Sequence, residues 1–229
     1  MLDPAEYRRV GTIQYPQTLP LDDHEVVLTF DDGPLAPYTQ KVLDALAAEC
    51  VKATFFVVGQ MARSHPALLQ RAYREGHTIG THSEHHAHLD RIGLTKAAKE
   101  IGDGIATARG ILGDPNAVAP FFRFPYFDPS RATEEYALHL GLSIWSADLH
   151  ASDWERLTPE QVMSYAVTRL ESKRKGILML HDIHERTALA LPILLRELKN
   201  RGYRVVHVTP ASNGHPKVET GGGSWTPVN

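Results

Sequence analysis

The sequence predicts an α/β fold, a distorted or incomplete (β/α) barrel of seven or eight strands in a single domain, and three observations carry that expectation. Apolar or β-branched runs alternate with helical patterns seven times along the chain, as strand–helix units around a parallel sheet do. Clusters of polar and histidine residues fall directly after five different strands. Strand C-termini converge on one face in a barrel, whereas a doubly wound sheet gathers its ligands at one switch point. Finally, 229 residues with 42% hydrophobic and 22% charged side chains suit an ordinary globular chain with mass enough for one core.

Each element follows from its residues. Residues 1–24 carry proline and acid with little periodicity and read as a lead-in segment on the surface. The first strand covers 25–30, where Val26-Val27-Leu28 is an uninterrupted apolar run that Gly33-Pro34 then turns. At 38–49, Val42, Leu43, Leu46 and Ala47 share one helical face. Phenylalanine and valine make 53–58 a second strand, and 66–74 is helical, with proline in its first turn and Gly76 past its end. A third strand at 77–80, a long helix at 95–112 and a fourth strand at 121–124 follow. Ser130 caps a helix at 130–140 that Gly141 closes, and 142–146 is the fifth strand. Thr158-Pro159-Glu160 opens a helix at 158–171, before a sixth strand at 176–180, a helix at 187–200 and a seventh strand at 203–208. The folded domain thus spans 25–209, and 210–229, with Gly221-Gly222-Gly223, reads as a loose tail.

Composition removes several function classes. A net charge of −3 makes no electrostatic case for nucleic acid or an anionic membrane, and the longest apolar runs are too short for a membrane span. No apolar stretch follows Met1-Leu2-Asp3-Pro4, so the chain shows no signal peptide. The single cysteine, Cys50, excludes an internal disulfide and a cysteine-rich metal site, and its place at a helix end suggests a half-buried structural thiol. Thirteen histidines, several clustered, are the unusual feature.

The chemistry centres on the first strand, which delivers Asp31 and Asp32 to its end. Neighbours on a strand face opposite ways, so the two carboxylates take different tasks. His82 and His86, four residues apart, would share a face on one turn of helix and could grip one ion with Asp32. Two imidazoles and a carboxylate suit zinc, with cobalt, nickel and iron as alternatives, and His85 and His88 are rival ligands by proximity.

Those residues carry a resemblance. Thr29-Phe30-Asp31-Asp32-Gly33-Pro34 and His82-Ser83-Glu84-His85-His86 resemble the first two motifs of the polysaccharide deacetylases, the NodB-like enzymes of carbohydrate esterase family four. Arg123-Phe124-Pro125-Tyr126 resembles the third motif, Asp153-Trp154 the fourth and Leu180-His181 the fifth, all in the family's order. The resemblance implies that Asp32, His82 and His86 hold the metal, that Asp31 is the general base, and that Arg123 pairs with Asp31. It implies further that the Tyr126 N–H, aimed by Pro125, stabilises the oxyanion, and that His181, oriented by Asp153, is the general acid. Tyr126 would line the substrate groove and Trp154 the acetyl pocket. Two departures stand out. Asp148 and Asp153 lie farther apart than usual, so either could partner His181, and Asp153 is preferred because Trp154 follows it. Met179 replaces a leucine, similar in volume, in the acetyl pocket. The other histidines, His85, His88, His150 and His184, are left as groove or surface residues. The implied activity is hydrolysis of N-acetyl groups on an N-acetylglucosamine-containing glycan, chitin-like or peptidoglycan, in the periplasm, the envelope or outside the cell. The alternatives are an O-acetyl xylan esterase, or a non-catalytic glycan-binding relative that would lack the base or a ligand.

Overall fold

The run Glu25–Asp31 becomes the central strand because every one of its seven residues is buried. A computed structural model describes residue 3 and residues 5–211, so all of the tail expected over 210–229 except residues 210 and 211 lies outside the described residues. Among the described residues nine strands form one parallel sheet: β1 (Arg9–Val10), β2 (Glu25–Asp31), β3 (Thr54–Val57), β4 (Thr78–Thr81), β5 (Val118–Phe122), β6 (Ser143–Trp145), β7 (Leu149–His150), β8 (Gly176–His181) and β9 (Arg204–Val205). The order is β1-β6-β5-β4-β3-β2-β8-β7, and β9 pairs with the base of β2, Glu25 opposite Arg204. Among the described residues no ladder joins β1 to β7, so the sheet curls into a half-barrel. The expected incomplete barrel is what the chain forms.

Seven α-helices cover the sheet: α1 (Tyr38–Ala48), α2 (Gly59–Ser64), α3 (Pro66–Arg74), α4 (Leu94–Leu112), α5 (Arg131–His139), α6 (Pro159–Lys173) and α7 (Glu185–Asn200). Strand parity divides the core. Val26, Leu28, Phe30, Leu178 and Leu180 pack outward with α1, α6 and α7, while Val27, Phe56, Phe121, Trp145, Ile177 and Met179 fill the interior of the half-barrel. The odd-numbered residues of β2 and β8 therefore share one direction: 27, 29 and 31, and 177, 179 and 181, all point inward. That parity puts Asp31 and His181, paired in register at the strand ends, inside one mouth.

Ser130 caps α5 as expected: its hydroxyl accepts from the Thr133 N–H, and the Thr133 hydroxyl accepts in return from the Ser130 N–H. Replacing Ser130 by alanine should cost about 1 kcal/mol, read as a lower denaturant midpoint at unchanged slope. Three features differ from expectation. The strands β1 and β7 and the helix α2 were not foreseen, because two strand residues or six helical ones carry no readable period. The lead-in segment places Arg9–Val10 beside Ile144–Trp145 and buries Leu19 and Leu21. Cys50 is exposed rather than half-buried: α1 ends at Ala48, and Cys50 sits in the following turn with φ 54°, off the apolar face.

Candidate active site

Burial of a charge at a strand end requires a partner, and the fold supplies one for Asp31. Its Oδ1 accepts from Arg123 Nη1 at 2.7 Å, both side chains being buried. Arg123 spends its other donors on the Thr29 hydroxyl and the carbonyls of Trp145 and Ser146, and lies over the Phe56 ring. The guanidinium favours the carboxylate, yet burial outweighs it. The Asp31 pKa is pushed up to about 6 by desolvation, with Arg123 and His181 pulling the other way.

Asp32, next along, takes a left-handed backbone (φ 75°) and turns away from Arg123 toward His82 and His86. Its Oδ1 lies 3.4 Å from His82 Nε2 and 3.3 Å from His86 Nε2. The two histidines do not share a helical turn. They stand on a loop after β4, in which Ser83 (φ 66°) and His86 (φ 55°) are left-handed and the Ser83 hydroxyl accepts from the His86 N–H. Gly104 of α4 lets that loop approach, since a Cβ there would meet the Ser83 carbonyl at 2.8 Å. His82 Nδ1 lies 2.7 Å from the Arg123 carbonyl, which can only accept, so Nδ1 carries the hydrogen and Nε2 presents a lone pair. Burial, reinforced by His86, holds the His82 pKa well below the usual imidazole value, and burial also lowers that of His86. Asp32 Oδ1 is shielded from solvent and accepts no hydrogen bond. The Asp32 oxygen and the two Nε2 atoms thus converge with no hydrogen bond among them, a donor set that a divalent cation fits.

Across the mouth, His181 Nδ1 donates to Asp153 Oδ1 at 2.9 Å. Asp153 Oδ2 accepts from the His181 N–H and the Thr187 hydroxyl, so the fully buried carboxylate is satisfied on both oxygens. Burial alone would discharge His181, but the Asp153 hydrogen bond and charge, with Asp31 and Asp32 beyond, hold its pKa at about 9. The choice between Asp148 and Asp153 is thereby decided. Asp148 instead accepts from the Thr12 N–H and hydroxyl, the Thr18 hydroxyl and the Ile177 N–H, which ties the lead-in segment to the sheet.

These groups surround a cavity of about 520 Å³, walled by Tyr126, Trp154, Phe124, Met179 and Ile13. Tyr126 sits left-handed (φ 59°) in the turn after β5, its ring edge-on to His86 and parallel to His88 at 3.8 Å. Trp154 meets His181 edge-on. A carboxylate that can accept a proton faces a charged imidazole that can give one, with a cation site between apolar walls. The arrangement suits hydrolysis of a neutral acyl bond.

The polysaccharide deacetylase family model matches residues 19–145, more than half of the chain. This chain belongs to the polysaccharide deacetylase family. It is 32% identical over 189 residues to the peptidoglycan-N-acetylglucosamine deacetylase PgdA of Listeria monocytogenes, covering 80% of this chain and only 38% of that protein. The chain therefore spans well under half the length of that relative. A peptidoglycan-N-acetylglucosamine deacetylase of Bacillus cereus is 31% identical over 196 residues, 83% of this chain and 89% of its own. Among solved structures, a peptidoglycan deacetylase of Bdellovibrio bacteriovorus aligns with TM-score 0.82 and 34% identity, over 92% of this chain and 58% of the other.

In this chain the sequence-predicted residues come together, with Pro125 as the partial exception. It is buried, opens the turn that carries Tyr126 and does not line the cavity. His150 lines the groove, held by Arg169 through its Nδ1 and carbonyl. Sequence reasoning missed Phe127, which lines the cavity beside Tyr126, and two further residues. Ile13, 42% exposed, forms a cavity wall from the lead-in segment, and a lone isoleucine there gives no signal. Asp182 is buried beneath the β2 turn, where its carboxylate accepts from the Gly33 N–H and the Thr39 hydroxyl. A Cβ on Gly33 would collide with it. Its place directly after His181 was the available clue.

Proposed function

We propose that this deacetylase hydrolyses the N-acetyl group of N-acetylglucosamine residues in a glycan of the peptidoglycan type, using one divalent ion, zinc above cobalt, nickel or iron, held by Asp32, His82 and His86. The observation that carries the reading is the convergence of two imidazole Nε2 atoms on Asp32 Oδ1, which is shielded from solvent and has no hydrogen-bond partner. A bound ion would supply Lewis acidity, polarising the acetyl carbonyl and acidifying the attacking water. The similarity to two peptidoglycan-N-acetylglucosamine deacetylases supports the substrate class, and such a substrate would place the enzyme at the cell envelope.

The chain's own residues do the rest. Asp31 takes a proton from the attacking water, its Oδ1 anchored by Arg123 so that the second oxygen meets the proton. The Tyr126 N–H faces the oxyanion that forms on the acetyl oxygen. His181 gives its proton to the departing glucosamine nitrogen, a poor leaving group unless protonated, and Asp153 keeps the ring oriented for it. Trp154 and Met179 enclose the acetyl methyl, and Tyr126 lies along the sugar.

Acetate release from N-acetylglucosamine oligomers and from peptidoglycan tests the reading on chelator-stripped and metal-restored protein. Stripping should reduce release at least about 100-fold, and zinc or cobalt should restore it. Full activity after complete stripping would refute the metal, and release from acetylated xylan alone would assign an esterase.

A further inference from the structure

A second group of ligand atoms lies beside the catalytic cavity. His88 and Asp90 stand on the turn after the His82–His86 loop, and Asp128 follows the Tyr126 turn. One ligand atom from each of the three lies within 4.8 Å of the others. His88 Nδ1 and Asp90 Oδ1 are both shielded from solvent and neither has a hydrogen-bond partner. Shielded polar atoms left unpaired are costly, and the bare Asp90 oxygen in particular calls for a donor or a cation.

Arg91 meets only part of that need. Its Nε lies 3.2 Å from Asp90 Oδ2 and its Nη2 3.6 Å from Asp128 Oδ2, and its side chain is 65% exposed. One guanidinium against two carboxylates leaves net negative charge, and it engages the outer oxygen of Asp90 while Oδ1 stays bare. We propose that His88, Asp90 and Asp128 form a second divalent-cation site, separate from Asp32, His82 and His86, which takes a borderline ion such as zinc, cobalt or manganese. One imidazole and two carboxylates provide three protein ligands and leave positions for water. The half-exposed setting and the competing Arg91 make this ion the weaker and more exchangeable of the two. The His88 ring lies flat against Tyr126, with 8° between the planes, so an ion that fixes His88 also fixes that wall of the cavity.

Equilibrium dialysis of the full chain against zinc, with the metal per chain counted by mass spectrometry, tests the site. The wild type should bind one ion more than an Asp90→Asn/Asp128→Asn double variant, and a His82→Ala/His86→Ala variant should keep the ion that the double variant loses. Failure of the catalytic metal reading alone looks different: the wild type would bind one ion and the Asp90→Asn/Asp128→Asn protein none. Equal counts in the wild type and the Asp90→Asn/Asp128→Asn variant overturn the proposal. Arg91→Ala decides the matter if that double variant does not fold. Removal of the competing cation should tighten the weaker ion by roughly tenfold, and an unchanged dissociation constant overturns the site.

Discussion

Replacing Asp31 by asparagine should lower kcat for acetate release by about 10²–10⁴-fold while the metal at Asp32, His82 and His86 is retained. The substitution keeps the shape and leaves a carbonyl oxygen for Arg123, but removes the proton acceptor that the inward parity of β2 presents beside the Asp32 site. Asp32 cannot substitute, because its left-handed backbone turns its carboxylate to the two histidines. The Asp31→Asn change would also leave the buried Arg123 guanidinium without its counter-charge. Breaking a buried pair on one side costs on the order of 3 kcal/mol, so denaturant unfolding must accompany the kinetics. Unchanged metal content, a folded but less stable protein and lost turnover is the expected combination. A kcat within about tenfold of the wild type would remove Asp31 as the base.

The frame of the fold was legible because it rests on burial. Val26-Val27-Leu28 and the run into His181 are apolar for most of their length, and strands buried on both faces have to be. The short pieces were not legible: Arg9–Val10 and Leu149–His150 become strands only through neighbours far along the chain. In the site, residue identities were readable but local geometry was not. A spacing of four suggested a helix for His82 and His86, whereas the loop depends on left-handed Ser83 and His86, which the sequence does not announce. Only the tryptophan after it favoured Asp153 over Asp148 in the sequence, because hydrogen bonds are what separate the two. Asp148 is tied to Thr12 and Thr18, 136 and 130 residues earlier in the chain, as well as to Ile177, while the partners of Asp153 stand 28 and 34 residues later. Ile13 had no motif to betray it.

The Asp153→Asn enzyme should lose its alkaline activity first. With Asp31 required unprotonated and His181 protonated, kcat/KM is bell-shaped, with an acid limb near the Asp31 pKa of about 6 and an alkaline limb near the His181 pKa of about 9. Burial by itself lowers the His181 pKa, and the Asp153 hydrogen bond and charge are the main groups that reverse it. Without that charge the alkaline limb should move down by about 2 pH units or more, until the two limbs nearly meet. The same change has a signature in stability that no kinetic defect can imitate. His181 has a folded-state pKa above its unfolded value of 6.5, so its charge stabilises the wild type fully below pH 6.5. That contribution is lost as pH rises through about 9. The stability gap between wild type and variant should therefore be widest at the acid end of the window from pH 6.5 to 9 and narrow toward its alkaline end. A gap that narrows while the alkaline limb shifts identifies Asp153 as the group that keeps the acid charged. An unmoved limb would assign it to another group and take the proton donation away from His181.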